Sequence, residues 1–313
     1  MIYTVTLNPA LDKTVEIQDF AVDSVNRVTA MRTDPGGKGI NVSKVIQKLE
    51  GKSIAAGILG GSTGKAILAA LEEMELETCF HFVEGETRTN LKVVDPKRHT
   101  NTDINEQGIT VTEEVLENLL KGLLGKLNKG DIVVLSGSLP KGAPKDTYGT
   151  WVKACRDRGT KVILDADGEL LAEGLKASPY LVKPNNHELS RLFGRTLETK
   201  EELEEAARKL MACHGIEKVV ISLGGDGALY VTRDTSIYAE GLKVPVGSTV
   251  GAGDSVVAAL AVAEEKGMSL EDTVRLSTAT GAANVMCSGT QAAEYDVIRD
   301  LIPKVVFHAS APV

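Results

Sequence analysis

Hydrophobic positions along the chain form two recurring patterns: short aliphatic runs, and longer runs in which apolar residues recur at helical spacing. The short runs predict buried strands, at residues 54–59, 132–135, 161–164 and 219–222. The longer runs predict amphipathic helices, at residues 40–49, 66–74, 113–127 and 148–156. Strands that alternate with helices usually build a parallel sheet with helices on both faces, so we predict a layered α/β fold.

Two segments, roughly residues 12–32 and 86–104, break this alternation because they have the pattern of short strands without an accompanying helix. In the second segment Arg88, Asn90 and Lys92 share one face, since successive side chains of a strand point to opposite faces. This polar face could bind an anion or could simply be solvated, and the segment alone leaves both interpretations open. We predict a single domain over residues 1–313 in which the two segments form a small sheet apart from the main layer.

The composition favours a globular protein that binds small molecules. The 313 residues are 42% hydrophobic and 25% charged, which is enough apolar material for a large core. A formal net charge of −8 argues against nucleic acid or an anionic membrane as a partner. The chain enters a strand pattern at residues 2–7 without a charged leader, and no apolar run has transmembrane length, so we expect a cytoplasmic protein.

The cysteines give no sign of metal or redox chemistry. They are far apart in the sequence and include no Cys-x-x-Cys pair. We expect buried free thiols at Cys79, Cys155, Cys213 and Cys287.

Residues 60–66, Gly-Gly-Ser-Thr-Gly-Lys-Ala, resemble a phosphate-binding Walker A loop but fail its pattern twice. Leu59 stands where the first glycine belongs, and Ala66 stands where a Ser or Thr would bind magnesium. We interpret the segment as a glycine-rich turn beside the substrate cleft. The first strand is followed by Leu-Asn-Pro-Ala rather than a Gly-x-Gly-x-x-Gly loop, which counts against a nicotinamide-dependent oxidoreductase.

The strongest chemical signal lies at residues 249–254, Thr-Val-Gly-Ala-Gly-Asp, directly before an apolar helical run. Gly251 and Gly253 let backbone amides approach an anion, and a helix N-terminus adds unpaired N–H groups and a partial positive charge. Asp254 is then placed to accept a proton from an attacking hydroxyl. Its alternative role is a helix cap, worth about 0.3–1 kcal/mol, although a capped helix does not need both glycines.

The chain resembles the PfkB, or ribokinase-like, carbohydrate kinases along almost its whole length. Two signatures carry the resemblance: Pro-Gly-Gly-Lys-Gly-Ile-Asn-Val-Ser at residues 35–43 and Gly-Ala-Gly-Asp at residues 251–254. The resemblance implies a ribokinase-like three-layer α/β/α sandwich with a small β-sheet lid, formed by about residues 12–32 and 86–104. It also implies ATP as the phosphoryl donor, together with Mg²⁺.

On the nucleotide side, the resemblance implies that Gly251, Ala252 and Gly253 hold the transferred phosphoryl group and that Asp254 is the catalytic base. It implies that Asn185 and Glu188 organise the magnesium ion, which prefers oxygen ligands. Without the resemblance, these two residues have the pattern of an ordinary helix capping box. The other positions implied for the nucleotide are Lys183, Ser222, Leu223, Gly224, Gly225, Asp226, Gly227, Thr249 and Asn284.

On the acceptor side, the resemblance implies that Asp12 holds sugar hydroxyls and that Arg88 and Arg27 grip a phosphate already on the substrate. Arginine suits this role because its guanidinium can form two parallel hydrogen bonds to phosphate. The other positions implied for the substrate are Gly37, Lys38, Asn41, Asn90 and Ser138.

Residues 6–12 resemble the branch of the family that contains 1-phosphofructokinases and tagatose-6-phosphate kinases, and residues 87–92 and 102–105 resemble the former more. The implied reaction phosphorylates the C6 hydroxyl of fructose 1-phosphate to give fructose 1,6-bisphosphate and ADP. Tagatose 6-phosphate is the alternative acceptor. Potassium-activated relatives place an Asp where this chain has Ser248, which counts against a monovalent-cation site. A homodimer is expected only by analogy with the family.

Two functions of other classes are weighed against the kinase. A sugar-phosphate sensor that kept the fold but lost the chemistry is disfavoured because Asp254 and both glycines are intact. A nucleotide-linked oxidoreductase of similar layering lacks its dinucleotide loop.

Overall fold

The computed structural model describes residues 1–310, and its fourteen strands form two sheets. In chain order the strands are β1 (Ile2–Thr6), β2 (Ala10–Glu16), β3 (Ala30–Gly36), β4 (Ser53–Gly60), β5 (Glu77–Val83), β6 (Arg88–Asp95), β7 (Thr100–Asn105), β8 (Ile132–Ser136), β9 (Lys161–Asp165), β10 (Leu181–Val182), β11 (Lys218–Ser222), β12 (Gly227–Thr232), β13 (Ser236–Glu240) and β14 (Phe307–Ala309).

Ten α-helices lie within the same residues. In chain order they are α1 (Lys38–Lys48), α2 (Gly61–Glu73), α3 (Glu113–Leu124), α4 (Thr147–Asp157), α5 (Gly168–Leu175), α6 (Asn186–Phe193), α7 (Lys200–His214), α8 (Ala252–Lys266), α9 (Leu270–Val285) and α10 (Tyr295–Leu301). The four predicted strands correspond to β4, β8, β9 and β11, and the four predicted helices correspond to α1 through α4.

The main sheet has ten strands in the order β14-β13-β12-β11-β10-β9-β8-β1-β4-β5. Every pair from β5 to β11 is parallel, and β12, β13 and β14 continue the sheet in antiparallel pairs. All residues of β1 and β8 are buried, as expected for central parallel strands covered on both faces. The predicted α/β class is confirmed.

Helices cover both faces of this sheet, which gives three layers. On one face, Leu116 of α3, Trp151 of α4 and Leu210 of α7 belong to one buried cluster with residues of the strands. On the other face, Ile46 of α1 and Leu260 of α8 belong to a second cluster. The apolar periodicity that predicted the helices therefore marks the sides that pack on the sheet.

The small sheet has four strands in the order β3-β2-β6-β7 and draws them from the two segments that lack helical partners. β2 runs parallel to β6, while the other two pairs are antiparallel. Arg88, Asn90 and Lys92 line a cavity between the two sheets, whereas Val93 is buried in a cluster on the other face of β6. We call this sheet, with the loop of residues 17–29 between β2 and β3, the lid.

The carboxylate of Asp95 at the end of β6 joins the lid loop to the turn between β6 and β7. Asp95 is 1% exposed and accepts backbone N–H bonds from Asp19, Phe20, Lys97 and Arg98. Burial would raise the pKa of Asp95, but these N–H groups outweigh burial and hold it below the ordinary value.

Two sequence expectations meet different outcomes. None of the helices in residues 1–310 combines the length and hydrophobicity needed to cross a bilayer.

The expectation of four buried thiols is wrong in part, because Cys155 is buried but Cys213 is exposed, while Cys79 and Cys287 are half-buried. Cys213 lies off the apolar side of α7, which is formed by residues such as Leu210 and Met211.

Candidate functional site

A cavity of about 1410 Å³ lies between the lid and the carboxyl edge of the main sheet. Its floor is formed where strands end, at Thr6 of β1, Ser136 of β8, Asp165 of β9, Lys183 after β10 and Ser222 of β11. Open α/β sheets bind ligands at this edge. Pockets for one small ligand are usually about 300–1,000 Å³, so the cavity has room for two ligands at once.

Buried polar atoms without a partner concentrate at this cavity. Within residues 1–310, six buried side-chain N or O atoms lack a hydrogen-bond partner, and five of them belong to residues that line the cavity. Buried polar groups are normally satisfied, so the cluster indicates a polar ligand. The five atoms are Asn41 Oδ1, Arg88 Nε, Asn90 Oδ1, Ser136 Oγ and Thr290 Oγ1.

The first turn of α8 forms one wall of the cavity. Gly251 adopts a φ of 82°, which L side chains rarely adopt, and places the first amides of the helix toward the cavity. Asp254 is 6% exposed and does not cap its own helix. Its Oδ2 instead accepts a hydrogen bond of 2.9 Å from Asn41 Nδ2 on α1. The capping interpretation therefore loses its structural basis.

The surroundings of Asp254 suit a proton acceptor. Burial raises the pKa of its carboxyl, the charge of Lys38 opposes that rise, and the nearby carboxylate of Asp165 adds to it. The net direction is upward. A base with a raised pKa holds a transferred proton more firmly than an ordinary aspartate does.

A buried ion-pair cluster lies beside Asp254. Lys38 Nζ is 3.2 Å from Asp165 Oδ2, and Lys183 Nζ is 3.3 Å from Asp165 Oδ1. Burial would raise the pKa of Asp165, but the ammonium groups of Lys183 and Lys38 outweigh burial and hold it below the ordinary value. Asp165 is not among the residues predicted for the site, although its place at the carboxyl end of an apolar strand is a usable signal.

The nucleotide side of the cavity contains the predicted Asn185 and Glu188. They form the capping box of α6, with Asn185 Oδ1 accepting from Glu188 N and Glu188 Oε2 accepting from Asn185 N, both at 2.8 Å. Both residues also line the cavity, as do Ser222, Leu223, Gly224, Gly225, Asp226, Gly227 and Thr249.

The donor set on this side fits Mg²⁺ better than a metal that needs a protein cage. No group of three or more His, Cys, Asp or Glu side chains in residues 1–310 is arranged to hold a metal ion. Mg²⁺ keeps several waters and takes only one or two carboxylates together with phosphate oxygens. The oxygens of Asn185 and Glu188 are compatible with that mode of binding.

The acceptor side lies under the lid. Asp12 Oδ1 accepts a 3.0 Å hydrogen bond from Asn90 Nδ2, and burial raises the pKa of Asp12. A side chain at Gly36 would collide with this carboxylate, so the glycine permits the close approach. Arg88 donates from Nη2 to the carbonyl of Asn8 at 3.0 Å and from Nη1 to the carbonyl of Glu106 at 3.3 Å. Gly37, Lys38, Asn41 and Ser138 also line this side.

Two predicted site residues do not line the cavity. Arg27 is exposed on the lid loop and does not line the cavity of its own chain, where the resemblance implied that it binds the substrate phosphate. Asn284 is 3% exposed and lies behind the α8 turn, where a Cβ on Gly251 would be 3.4 Å from its Nδ2. Asn284 thus packs beneath the turn, and its assignment to the nucleotide stays a prediction.

The rejected Walker-like segment binds an internal anion. The carboxylate of Glu86 accepts from the backbone N–H groups of Ser62 and Thr63 at the start of α2. These bonds lower the pKa of Glu86 to about 2. None of residues 60–66 lines the cavity, and the turn reaches it only indirectly, through the bond from Gly60 N to Thr87, the neighbour of Arg88.

A contact that could not be predicted from the sequence joins the lid to the far side of the cavity. Arg32 of β3 donates from Nη2 to the carbonyl of Ser288 at 3.1 Å and from Nε to Asp34 Oδ2 at 2.7 Å. Gly289 and Thr290, next to Ser288, line the cavity. The lid therefore spans the opening from the acceptor side to the loop after α9.

Comparison with known proteins points to one family. The profile described as pfkB family carbohydrate kinase matches residues 5–296. The 1-phosphofructokinase of Bacillus subtilis is 40% identical over 305 residues, covering 97% of this chain and 98% of that protein. The 1-phosphofructokinase of Xanthomonas campestris is 38% identical, covering 98% of each.

A solved structure shares the fold over nearly the whole chain. It is phosphofructokinase-2 from Escherichia coli in complex with fructose-6-phosphate, with a TM-score of 0.91 and 30% sequence identity. The match covers 97% of this chain and 98% of that one. The lid and the main sheet thus recur together in a related protein.

Proposed function

The chain belongs to the pfkB family of carbohydrate kinases, and we propose that it transfers a phosphoryl group from ATP to the C6 hydroxyl of fructose 1-phosphate. The products are fructose 1,6-bisphosphate and ADP. The observation that carries the proposal is Asp254, buried at the α8 turn and held by Asn41 in a cavity with room for two substrates. The relatives named 1-phosphofructokinase support the choice of acceptor.

Asp254 is the general base in the proposed reaction. Its carboxylate takes the proton of the C6 hydroxyl as the oxygen attacks the γ-phosphorus of ATP, and the bond from that phosphorus to the β-phosphate oxygen breaks. The charge on the transferred group lies against the amides of Gly251–Gly253, while the ammonium groups of Lys38 and Lys183 stand nearby. Positioning and electrostatics supply most of the catalysis in such reactions.

We propose that Asn185 and Glu188 hold Mg²⁺ on the nucleotide side, largely through water. The ion supplies positive charge that neutralises the phosphate oxygens. The turn at residues 222–227, together with Lys183 and Thr249, holds the nucleotide. On the acceptor side Asp12 and Asn41 bind sugar hydroxyls, and Arg88 binds the phosphate already present.

The first prediction concerns the acceptor. In a coupled ADP-release assay with ATP and Mg²⁺, fructose 1-phosphate should give a higher kcat/KM than tagatose 6-phosphate or fructose 6-phosphate. The physical reason is the polar lid face of Arg88, Asn90 and Lys92, together with the segments around it that resemble 1-phosphofructokinases.

A clear preference for tagatose 6-phosphate would move the acceptor to the alternative and leave the kinase reaction intact. ATP binding without ADP release for any sugar phosphate would favour the non-catalytic sensor. A change in NADH absorbance with these substrates would favour the oxidoreductase, and we expect none.

We further propose that the chain forms a homodimer through the lid. Five large apolar side chains of the lid are exposed, three of them in the loop between β2 and β3, and exposed apolar surface of this kind marks interaction sites. Arg27 lies in the same loop, exposed and outside the lining of its own cavity, and in the proposed dimer we place it beside the cavity of the second copy. The five residues are Val22, Val25, Val28, Met31 and Ile104.

The second prediction tests this dimer. Val25→Glu should convert the protein to a monomer in light scattering after size-exclusion chromatography, because it places a charge in the apolar surface of the lid. Val297→Glu on α10 is the matched control, since Val297 is also exposed but lies outside the lid, and it should leave the dimer intact. A parent protein that is monomeric at micromolar concentration contradicts the proposal.

A further inference from the structure

Asp165 joins two lysines that come from separate parts of the chain. Lys38 is the first residue of α1 and follows the glycines at the end of the lid strand β3. Lys183 lies between β10 and α6, on the nucleotide side. Each oxygen of Asp165 pairs with one of them, Oδ2 with Lys38 and Oδ1 with Lys183. One carboxylate thus connects the acceptor side to the donor side.

The burial of this cluster differs along its length. The side chain of Asp165 is 3% exposed and that of Lys183 is 6% exposed, whereas the side chain of Lys38 is 41% exposed. Lys183 Nζ would lie 3.4 Å from a Cβ built on Gly253, so it stands next to the α8 turn. Asp165 lies in the floor of the cavity, but each of its carboxylate oxygens is already paired with a lysine ammonium group.

We propose that Asp165 is a positioning residue for phosphoryl transfer, because its carboxylate fixes the ammonium groups of Lys38 and Lys183 beside Asp254 and the α8 turn. This inference rests on the proposed kinase function. A lysine ammonium is a point charge on a flexible four-carbon stem, and its rotamer freedom is large. Anchoring both ammonium groups keeps their positive charge beside the transferred phosphoryl group. Catalysis by preorganised charge requires such fixed positions.

The third prediction follows from this role. Asp165→Asn keeps the size of the side chain but cannot hold both lysines by charge. We therefore expect kcat to fall about tenfold, which is within the usual range for coupled neighbouring residues. The KM values for ATP and the sugar phosphate should change less than about threefold, because neither substrate is assigned to Asp165. Turnover is measured with whichever sugar phosphate the parent protein uses best. The melting temperature is measured on the same preparation.

A double-mutant cycle separates positioning from an independent or structural role. In the Lys183→Met background, Asp165→Asn should cost no more than about threefold in kcat, because half of what Asp165 positions is already gone. The double variant loses one positive and one negative charge, so it keeps the buried charge balanced. If the single Asp165→Asn variant does not fold, because it leaves two ammonium groups without their partner, a full tenfold loss between the Lys183→Met variant and the double variant still overturns the positioning role.

Asp131→Asn is the matched control. Asp131 is 7% exposed and pairs with the N-terminal amine of Met1, immediately before β8 and away from the cavity. Its substitution should leave kcat unchanged. The inference is overturned if Asp165→Asn turns over within twofold of the parent, if only KM changes, or if a full tenfold loss persists in the Lys183→Met background. A parent protein that phosphorylates no sugar phosphate overturns the proposed function itself and this inference with it.

Discussion

Replacing Asp254 by Asn should lower kcat by roughly a hundred to ten-thousandfold, the usual contribution of a positioned general base, while the protein remains folded. Asn has the same size and retains an oxygen that can accept the hydrogen bond from Asn41. It cannot take up the proton of the acceptor hydroxyl. The loss should therefore fall on the chemical step, and ATP affinity measured by calorimetry should stay close to that of the parent protein.

The chain offers a closely matched control for this substitution. Asp272 occupies the third position of α9, after the cap residue Ser269, just as Asp254 occupies the third position of α8 after Gly251. Unlike Asp254, Asp272 interacts with its own cap, through Ser269. Asp272→Asn should cost some stability and no kcat. An Asp254→Asn variant that binds ATP normally and keeps turnover within about tenfold of the parent, below the range for a lost base, would falsify the assignment.

The main sheet could be predicted from the sequence because its strands are buried on both faces. Continuous apolar runs such as residues 132–135 have no alternative explanation once helices with a clear apolar side flank them. Boundaries were less predictable. Helix α2 begins at Gly61, five residues before its predicted start, because Glu86 accepts from the amides of its first turn. That contact is distant in sequence and leaves no local pattern.

The same distinction applies to the lid. The alternating pattern of its strands made them recognisable as a second sheet, but the path of the loop between β2 and β3 depends on two backbone N–H bonds, from Asp19 and Phe20, to Asp95, about seventy-five residues further along the chain. Asn26 makes local bonds to the backbone of Ala21 within the loop, but residues 17–29 alone do not specify how the loop packs against the end of β6.

Within the site, the glycines and Asp254 could be predicted because the helix start, the anion-binding turn and the base occupy consecutive residues. The position of Asp165 at the end of an apolar strand could have placed it at the ligand-binding edge, but its pairing with two lysines could not be predicted, because β9, α1 and the segment after β10 are far apart in the sequence. For Arg27 and Asn284 the situation is the opposite. The resemblance implied a role in the site for both residues, but neither lines the cavity of its own chain.

Arg88 stands at the start of β6 with part of its hydrogen-bonding capacity unused. Its Nη1 and Nη2 donate to the carbonyls of Glu106 and Asn8, while its Nε is buried without a partner in residues 1–310. Burial lowers the pKa of the guanidinium, and the charge of Asp12 opposes that shift. A half-buried guanidinium with a spare donor, in the lining of the cavity, is suited to a phosphate on the substrate.

Arg88→Met should raise the KM for fructose 1-phosphate about a hundredfold. Methionine has a similar reach but no charge, and one or two charge-assisted hydrogen bonds of about 1.5–3 kcal/mol each correspond to that factor. Arg88→Lys should give an intermediate KM, because an ammonium keeps the charge and loses the two-pronged geometry. The KM for ATP should change much less, since the lid serves the acceptor.

Because Arg88 also holds two backbone carbonyls, the same substitution could act by loosening the lid, and Arg98→Met separates the two effects. Arg98 is a lid arginine that pairs with Asp19 and does not line the cavity. Its loss should perturb the lid without touching the substrate, so the KM for fructose 1-phosphate should stay within about threefold of the parent, well below the effect of a lost charge-assisted bond. If Arg88→Met weakens ATP and fructose 1-phosphate equally, or if Arg98→Met matches its effect, then Arg88 supports the lid and the phosphate is bound elsewhere.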